Sequence, residues 1–194
     1  FILKNLIKKP KKILLTDSRD VVFQSNIFNN RFKKPLNFFL EDEKILNDTR
    51  NTRWLKRTVG TKVFDKIKNN LISCSGTTYG NFEKILNYSL LMKKNLYLFP
   101  YKRPLRHKII FKNVEPYDQG VHNYLIYNEF FKNAESHNNN LSKICTTAYM
   151  KKFKFNKEGQ LINQAGEIYS VIHQYDRSFK KNGSPVFNFK KKYE

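Results

Sequence analysis

The sequence predicts an α/β fold built on a mostly parallel sheet, and three observations point to it. Apolar runs of strand length alternate along the chain with stretches whose apolar residues recur at helical spacing. Polar groups recur directly after the strand-like runs, at Asp17–Asp20, Ser75–Gly80 and His173. In parallel sheets ligands gather at the carboxyl ends of strands. Finally, 194 residues with 40% hydrophobic and 15% aromatic content suffice for one domain with a buried core.

In chain order, residues 1–9 read as the tail of a helix stopped by Pro10. Lys12–Thr16 is an apolar run with acidic residues straight after it, the pattern of a buried strand ending at a functional edge. Val21-Val22-Phe23 continues apolar beyond the turn, and Leu36–Leu40 reads as a second strand running into Glu41-Asp42-Glu43. A helix capped by Asn51 or Thr52 extends through Asn69, with Trp54, Leu55, Val59, Val63, Phe64 and Ile67 on its apolar face. Leu71–Cys74 is a strand that breaks at Ser75-Gly76-Thr77-Thr78-Tyr79-Gly80, and Asn81 begins a second helix. After a proline-punctuated connection, Asp118 opens a third helix carrying Val121, Leu125 and Ile126. Phe153–Phe155 and Gln160–Asn163 flank Lys157-Glu158-Gly159 as a hairpin, and Tyr169–Ile172 is a last strand leading into His173.

The formal net charge of +21 raises the question of a nucleic-acid partner. The excess is lysine rather than arginine and arrives with abundant Asn, Ile, Phe and Tyr, the joint bias of an A/T-rich coding sequence. Short clusters at Lys8–Lys12, Lys151–Lys154 and Lys190–Lys192 read as solvated faces, and no nucleic-acid motif accompanies them. That argues against nucleic acid, while phosphate-bearing or anionic-glycan partners stay open. Cys74 and Cys145 lack zinc spacing and read as buried free thiols. No apolar run approaches the roughly 18–20 residues of a membrane span, so the segment reads as soluble, with cytoplasmic and lumenal compartments both open.

Asp17 and Asp20 flank a turn, and hard divalent cations such as Mn²⁺ or Mg²⁺ take such oxygen ligands and bridge them to diphosphates. Alternatively, one of them caps the turn and pairs with Arg19. Ser75–Gly80 offers hydroxyls and glycines to a sugar, or simply turns the chain. Asp118 and Gln119 either present a carboxylate and an amide to a sugar or cap their helix, and His122 reads as packing. His173 falls at the same sheet edge as the acidic turn, as a metal-ligating imidazole would. No P-loop, dinucleotide fingerprint, serine elbow or H-E-x-x-H is present.

Four blocks carry a resemblance. Asp17-Ser18-Arg19-Asp20-Val21-Val22-Phe23-Gln24 resembles the acidic-motif strand, D-x-R-D-V-x-F-Q, of a group of GT-A glycosyltransferase-like proteins. Ser75-Gly76-Thr77 with Gly80, Asp118–Asn123, and His173-Gln174-Tyr175-Asp176-Arg177 follow in the same order. The resemblance implies a GT-A (Rossmann-like nucleotide-diphospho-sugar transferase) fold lacking its N-terminal nucleotide-binding half, with residues 1–194 a single partial domain. It implies Mn²⁺ or Mg²⁺ at Asp17, Asp20 and His173, and a donor site at Asp17, Arg19, Ser75, Gly76 and Thr77. Asp118 and Gln119 would be the catalytic pair, and sugar would pass from a nucleoside-diphosphate donor to a glycan, lipid or protein hydroxyl. The sequence departs from Asp-x-Asp spacing, with Asp17 and Asp20 three apart. The rival readings are an inactive relative serving as a binding module, a basic nucleic-acid-binding protein, and a carboxylate hydrolase using Glu41 and Glu43.

Overall fold

A computed structural model describes residues 8–98 and 118–178, which form a mixed α/β fold with two mixed sheets and a small hairpin. The larger sheet has the order β1-β4-β3-β5, from β1 (Lys12–Thr16), β3 (Leu36–Lys44), β4 (Leu71–Asn81) and β5 (Ala134–Asn138). The smaller has the order β2-β9-β6, from β2 (Val21–Phe23), β6 (Ile144–Thr146) and β9 (Val171–His173). β7 (Lys154–Phe155) and β8 (Leu161–Ile162) make the expected hairpin, with Gly159 at φ +75° in its turn.

The mostly parallel sheet is corrected. β4 runs against both β1 and β3, and β2 runs against β9, so among the described residues only β3–β5 and β6–β9 pair in parallel. Apolar runs and helical spacing carry no information on strand direction, which depends on how the connections return. Even so, β1, β3 and β5 all point the same way, so their carboxyl ends lie toward one edge of the sheet. β1 is an edge strand and only half-buried, not the buried strand expected.

The greatest departure concerns Ser75–Gly80. The segment does not turn but continues β4 as one eleven-residue strand. Thr77 to Asn81 pair with Thr16 to Lys12 of β1 on one side, while Gly80, Tyr79 and Thr78 pair with Leu36, Asn37 and Phe38 of β3 on the other. Glycine within a strand marks a close approach by a neighbour, and that is its use here. β3 likewise runs on past the expected end at Leu40 through Glu41-Asp42-Glu43, and buries Glu41.

The single helix expected from Asn51 to Asn69 is two. Asp48 caps α1 (Thr49–Val59) by accepting from the Asn51 amide at 2.6 Å. Gly60, at φ +83°, ends that helix before α2 (Thr61–Ile67) begins. Asn81 caps α3 (Phe82–Leu98) through the Lys84 amide at 3.0 Å, and α4 spans Asp118–Tyr127 as expected. The chain closes its described part with α5 (Tyr175–Ser178). Most of the helix tail expected at residues 1–9, and the connection before Asp118, lie outside the described residues; Lys8 and Lys9 are not helical.

Successive strand residues point to opposite faces, and Phe38 and Phe39 of β3 use this to tie three layers together. Phe38 packs with Ile85, Tyr88, Met92, Val121 and Leu125 under α3 and α4. Phe39 packs with Ile27, Ile144 and Val171 toward the smaller sheet. Each is at most 1% exposed, worth about 1.5–3 kcal/mol of transfer free energy apiece. Cys74 and Cys145 are free and buried. No helix among the described residues is long and apolar enough to cross a membrane.

Candidate metal centre

β1 pairs with β4 only from Thr77 onward, which leaves the backbone of Ser73–Gly76 without a strand on that side. Side chains from α4 take over. The Asn123 amide oxygen accepts from Ser73 N at 2.9 Å, and Gln119 Oε1 accepts from Ser75 N at 2.9 Å. Gln119 Nε2 and Asn123 Nδ2 both donate to the Ser73 carbonyl, at 2.6 and 3.0 Å. Both ends of the Gln119 carboxamide are therefore occupied holding β4. Beyond Thr16 the chain leaves the sheet, but Asp17 N still donates to Gly76 O at 3.0 Å. That bond delivers the acidic turn to the open stretch of β4.

His173, the last residue of β9, enters from the smaller sheet and is fully buried. Its Nε2 lies 3.0 Å from Asp17 Oδ2 and 3.5 Å from Asp20 Oδ1. One ligand atom from each of the three residues falls within 4.8 Å of the others. Asp17 is half exposed, whereas Asp20 is buried and its carbonyl accepts from Gln174 N at 2.8 Å. Gln174 takes φ +58°, one of two non-glycine residues in the left-handed region among those described. A backbone held there at a cluster of polar groups is characteristic of functional sites.

The other ring nitrogen of His173 decides the chemistry. Nδ1 lies 3.3 Å from Cys74 Sγ. Burial, reinforced by the charge of Glu41, pushes the Cys74 thiol well up, so it stays protonated and hydrogen-bonds Glu41. With Cys74 S–H on Glu41, the His173 tautomer that donates from Nδ1 to Cys74 Sγ frees Nε2 as a metal ligand, whereas the other tautomer donates from Nε2 to Asp17 Oδ2 at 3.0 Å. In the first tautomer two hard oxygens and an imidazole nitrogen suit a divalent cation. Gly76 leaves the room: a Cβ there would meet His173 Cε1, and would lie 2.6 Å from Asp17 Oδ2 and 2.7 Å from His173 Nε2.

The triad borders a cleft of about 140 Å³ whose lining includes Asp17, Arg50, Ser75, Gly76, Asp118 and Tyr149. Asp118, at the start of α4, accepts from Gln119 N at 2.8 Å and from Ser75 Oγ at 3.3 Å. Gln174 Oε1 and Trp54 Nε1 are buried without a hydrogen-bond partner, and both residues line this cleft.

Of the residues singled out in the sequence, Asp17, Ser75, Gly76, Asp118 and Gln119 line the cleft, while Asp20 and His173 do not line it but cluster with Asp17. Thr77 is buried in the β1–β4 ladder and Arg19 is exposed, so neither lines it. Glu41 lines the cleft as a partner of Cys74, while Glu43 is engaged with the Lys44 amide and Asn47. The hydrolase pairing of Glu41 with Glu43 therefore finds no shared site. Sequence reasoning missed Arg50, Trp54 and Tyr149 as lining residues; nothing in their local pattern separates them from a helix face and a loop.

His122 packs, as expected. Its Nδ1 hydrogen-bonds buried Tyr88 Oη at 2.7 Å, and its Nε2 hydrogen-bonds Ser73 Oγ at 3.0 Å. Burial lowers its pKa from 6.5 to about 3. The unfolded chain therefore binds a proton near pH 6.5 that the folded chain refuses until about pH 3, and stability falls as pH drops through that window. Between pH 7 and 5 the loss from this group is about 2 kcal/mol at ~1.4 kcal/mol per unit. Urea midpoints at the two pH values should shift less in His122→Gln than in the wild type. Equal shifts would assign the acid sensitivity elsewhere.

Comparison with protein-family models finds no match for this chain, and comparison with curated proteins finds none either. The functional reading therefore rests on the residues and their geometry.

Proposed function

We propose that this chain is part of a divalent-metal-dependent glycosyltransferase that moves a sugar from a nucleoside-diphosphate donor to a hydroxyl acceptor. The observation that carries this reading is convergence. The four blocks that resemble the GT-A group, separated by up to 156 residues between Asp17 and His173, supply the wall of a single cleft. Chance resemblance in four unrelated surface segments gives no reason for them to meet.

Asp17 Oδ2, Asp20 Oδ1 and His173 Nε2 would hold Mn²⁺ or Mg²⁺. Bound there, the ion would neutralise the charge that develops on a departing diphosphate. The cleft, at about 140 Å³, is smaller than the ~300–1,000 Å³ of a whole ligand site. It suits the sugar and diphosphate end of a donor rather than the nucleoside. Arg50, half exposed in that lining, offers a guanidinium to the same diphosphate. Asp118 stands across the cleft as the group to orient the donor sugar or to take the proton of the attacking hydroxyl. Gln119 acts on the reaction through β4, whose backbone it holds.

The direct test is a thermal-shift titration of the protein with Mn²⁺ and a panel of nucleoside diphosphates. A ligand at ~100 times its dissociation constant adds about 2.7 kcal/mol, several degrees for a domain of this size. A shift that requires both metal and nucleotide supports the reading; no shift with any of them defeats it.

Cys74 gives a second, narrower expectation. Groups that orient a metal-ligating histidine are worth 10–100-fold in metal affinity. Cys74→Ala should weaken Mn²⁺ binding by roughly tenfold, and Cys74→Ser, which restores a hydrogen-bonding atom toward His173 Nδ1, should recover most of it. Mn²⁺ titration by electron paramagnetic resonance reads both. Equal affinity in the alanine variant and the wild type would remove Cys74 from this role.

A further inference from the structure

A second cleft lies next to the one at the metal centre. It measures about 580 Å³, against about 140 Å³ beside the triad, and Tyr149 lines both. Its wall is the segment from Tyr149 to Lys154 together with Ile162 of the β7–β8 hairpin, and buried Tyr169 contributes to its lining. Asn140, Asn163 and Gln164 add carboxamides.

The charge of this cleft is uneven. Lys151, Lys152 and Lys154 all line it and all are exposed, while Asp42 is its one acidic lining residue. No described residue makes an ion pair with these three ammonium groups. In the sequence this run is an ordinary solvated cluster; in the fold it surrounds a concave surface. Carboxamides match sugar hydroxyls, aromatic and apolar walls match the C–H faces of sugar rings, and unpaired ammonium groups match anionic substituents. Tyr149 lines both clefts, so the larger one lies beside the cleft at the triad.

We propose that the larger cleft binds the acceptor, and that the acceptor is an anionic glycan, an oligosaccharide carrying carboxylate or phosphate groups. The proposal rests on the transferase reading above. It adds the class of acceptor and assigns Lys151, Lys152 and Lys154 the selection of negative charge.

The test measures binding of fluorescent oligosaccharides of equal length to the wild-type protein and to the Lys151→Gln/Lys152→Gln double variant. The probes are an oligogalacturonate, a phosphorylated oligomannoside and a neutral malto-oligosaccharide, with a single-stranded oligonucleotide of matching charge as competitor. Mn²⁺ titration of the same samples reads the metal centre independently. The expected result is a preference for at least one charged glycan over the neutral one, reduced roughly fivefold to tenfold in the double variant at unchanged thermal midpoint. Whichever charged probe binds identifies the anionic group. Equal binding of charged and neutral glycans, or an unaffected double variant, overturns the proposal while an intact Mn²⁺ response leaves the metal centre standing. Displacement of the glycan by the oligonucleotide at lower concentration overturns it in favour of a nucleic-acid partner. Glycan binding without any Mn²⁺ response defeats the acceptor role and the transferase reading together.

Discussion

Gly76→Ala is expected to abolish Mn²⁺ binding and to lower stability by about 1–3 kcal/mol, the usual cost of forcing a methyl group into a packed site. The new Cβ would sit 2.6 Å from Asp17 Oδ2 and 2.7 Å from His173 Nε2. His173 cannot retreat, because its ring is fully buried with Cys74 against the opposite nitrogen. Asp17, half exposed, can swing out toward water, and the easiest relief therefore separates two of the three clustered groups. Gly80→Ala is the control: its Cβ would press on the Pro35 carbonyl, remote from the triad. Urea denaturation should show both variants weakened, and electron paramagnetic resonance should show Mn²⁺ binding lost only in Gly76→Ala. Wild-type Mn²⁺ affinity in Gly76→Ala would mean that the space above Gly76 is not used by the ion.

The second large effect concerns Asp20. Asp20→Asn preserves shape and leaves the backbone bond from Gln174 to the Asp20 carbonyl in place, so folding should survive. It removes a negative charge from a buried position 3.5 Å from His173 Nε2. A metal's stabilisation of a leaving group is worth several kcal/mol, and each 1.36 kcal/mol is a factor of ten. If the proposed transferase reading holds, turnover of a nucleotide sugar falls roughly 10²–10³-fold. Arg19→Ala, exposed and outside the cleft lining, should stay within a factor of about two to three, the range of an ordinary surface change. The contrast matters because Arg19 lies between the two carboxylates in sequence. Full turnover in Asp20→Asn under saturating Mn²⁺ would exclude this triad as the metal site.

Both predictions depend on residues of very different legibility. Asp17, Asp20 and His173 were visible because Asp17 follows, Asp20 precedes and His173 ends a run of apolar residues with strand character, and strand ends are where a sheet can present polar groups. β1, β9, α4 and the β7–β8 hairpin were legible for the same reason, since their patterns are local. The cap at Asn81 and the packing of His122 belong with them.

The sequence by itself marked Asp17, Ser75, Gly76, Asp118, Gln119 and the His173 segment, which the fold brings together, and where several elements begin. Only the tertiary structure decided how they meet. Gly76 and Gly80 have the composition of a turn, yet pairing on both sides draws them straight into β4, because glycine permits a close neighbour as readily as a bend. Nothing in the sequence links Glu41 to Cys74. They matter because β3 and β4 lie side by side, bringing a carboxylate to the thiol that faces His173. Strand direction, the closeness of Asp17 to His173 across 156 residues, and the lysine-rimmed cleft depend on connections and packing, which no local pattern encodes.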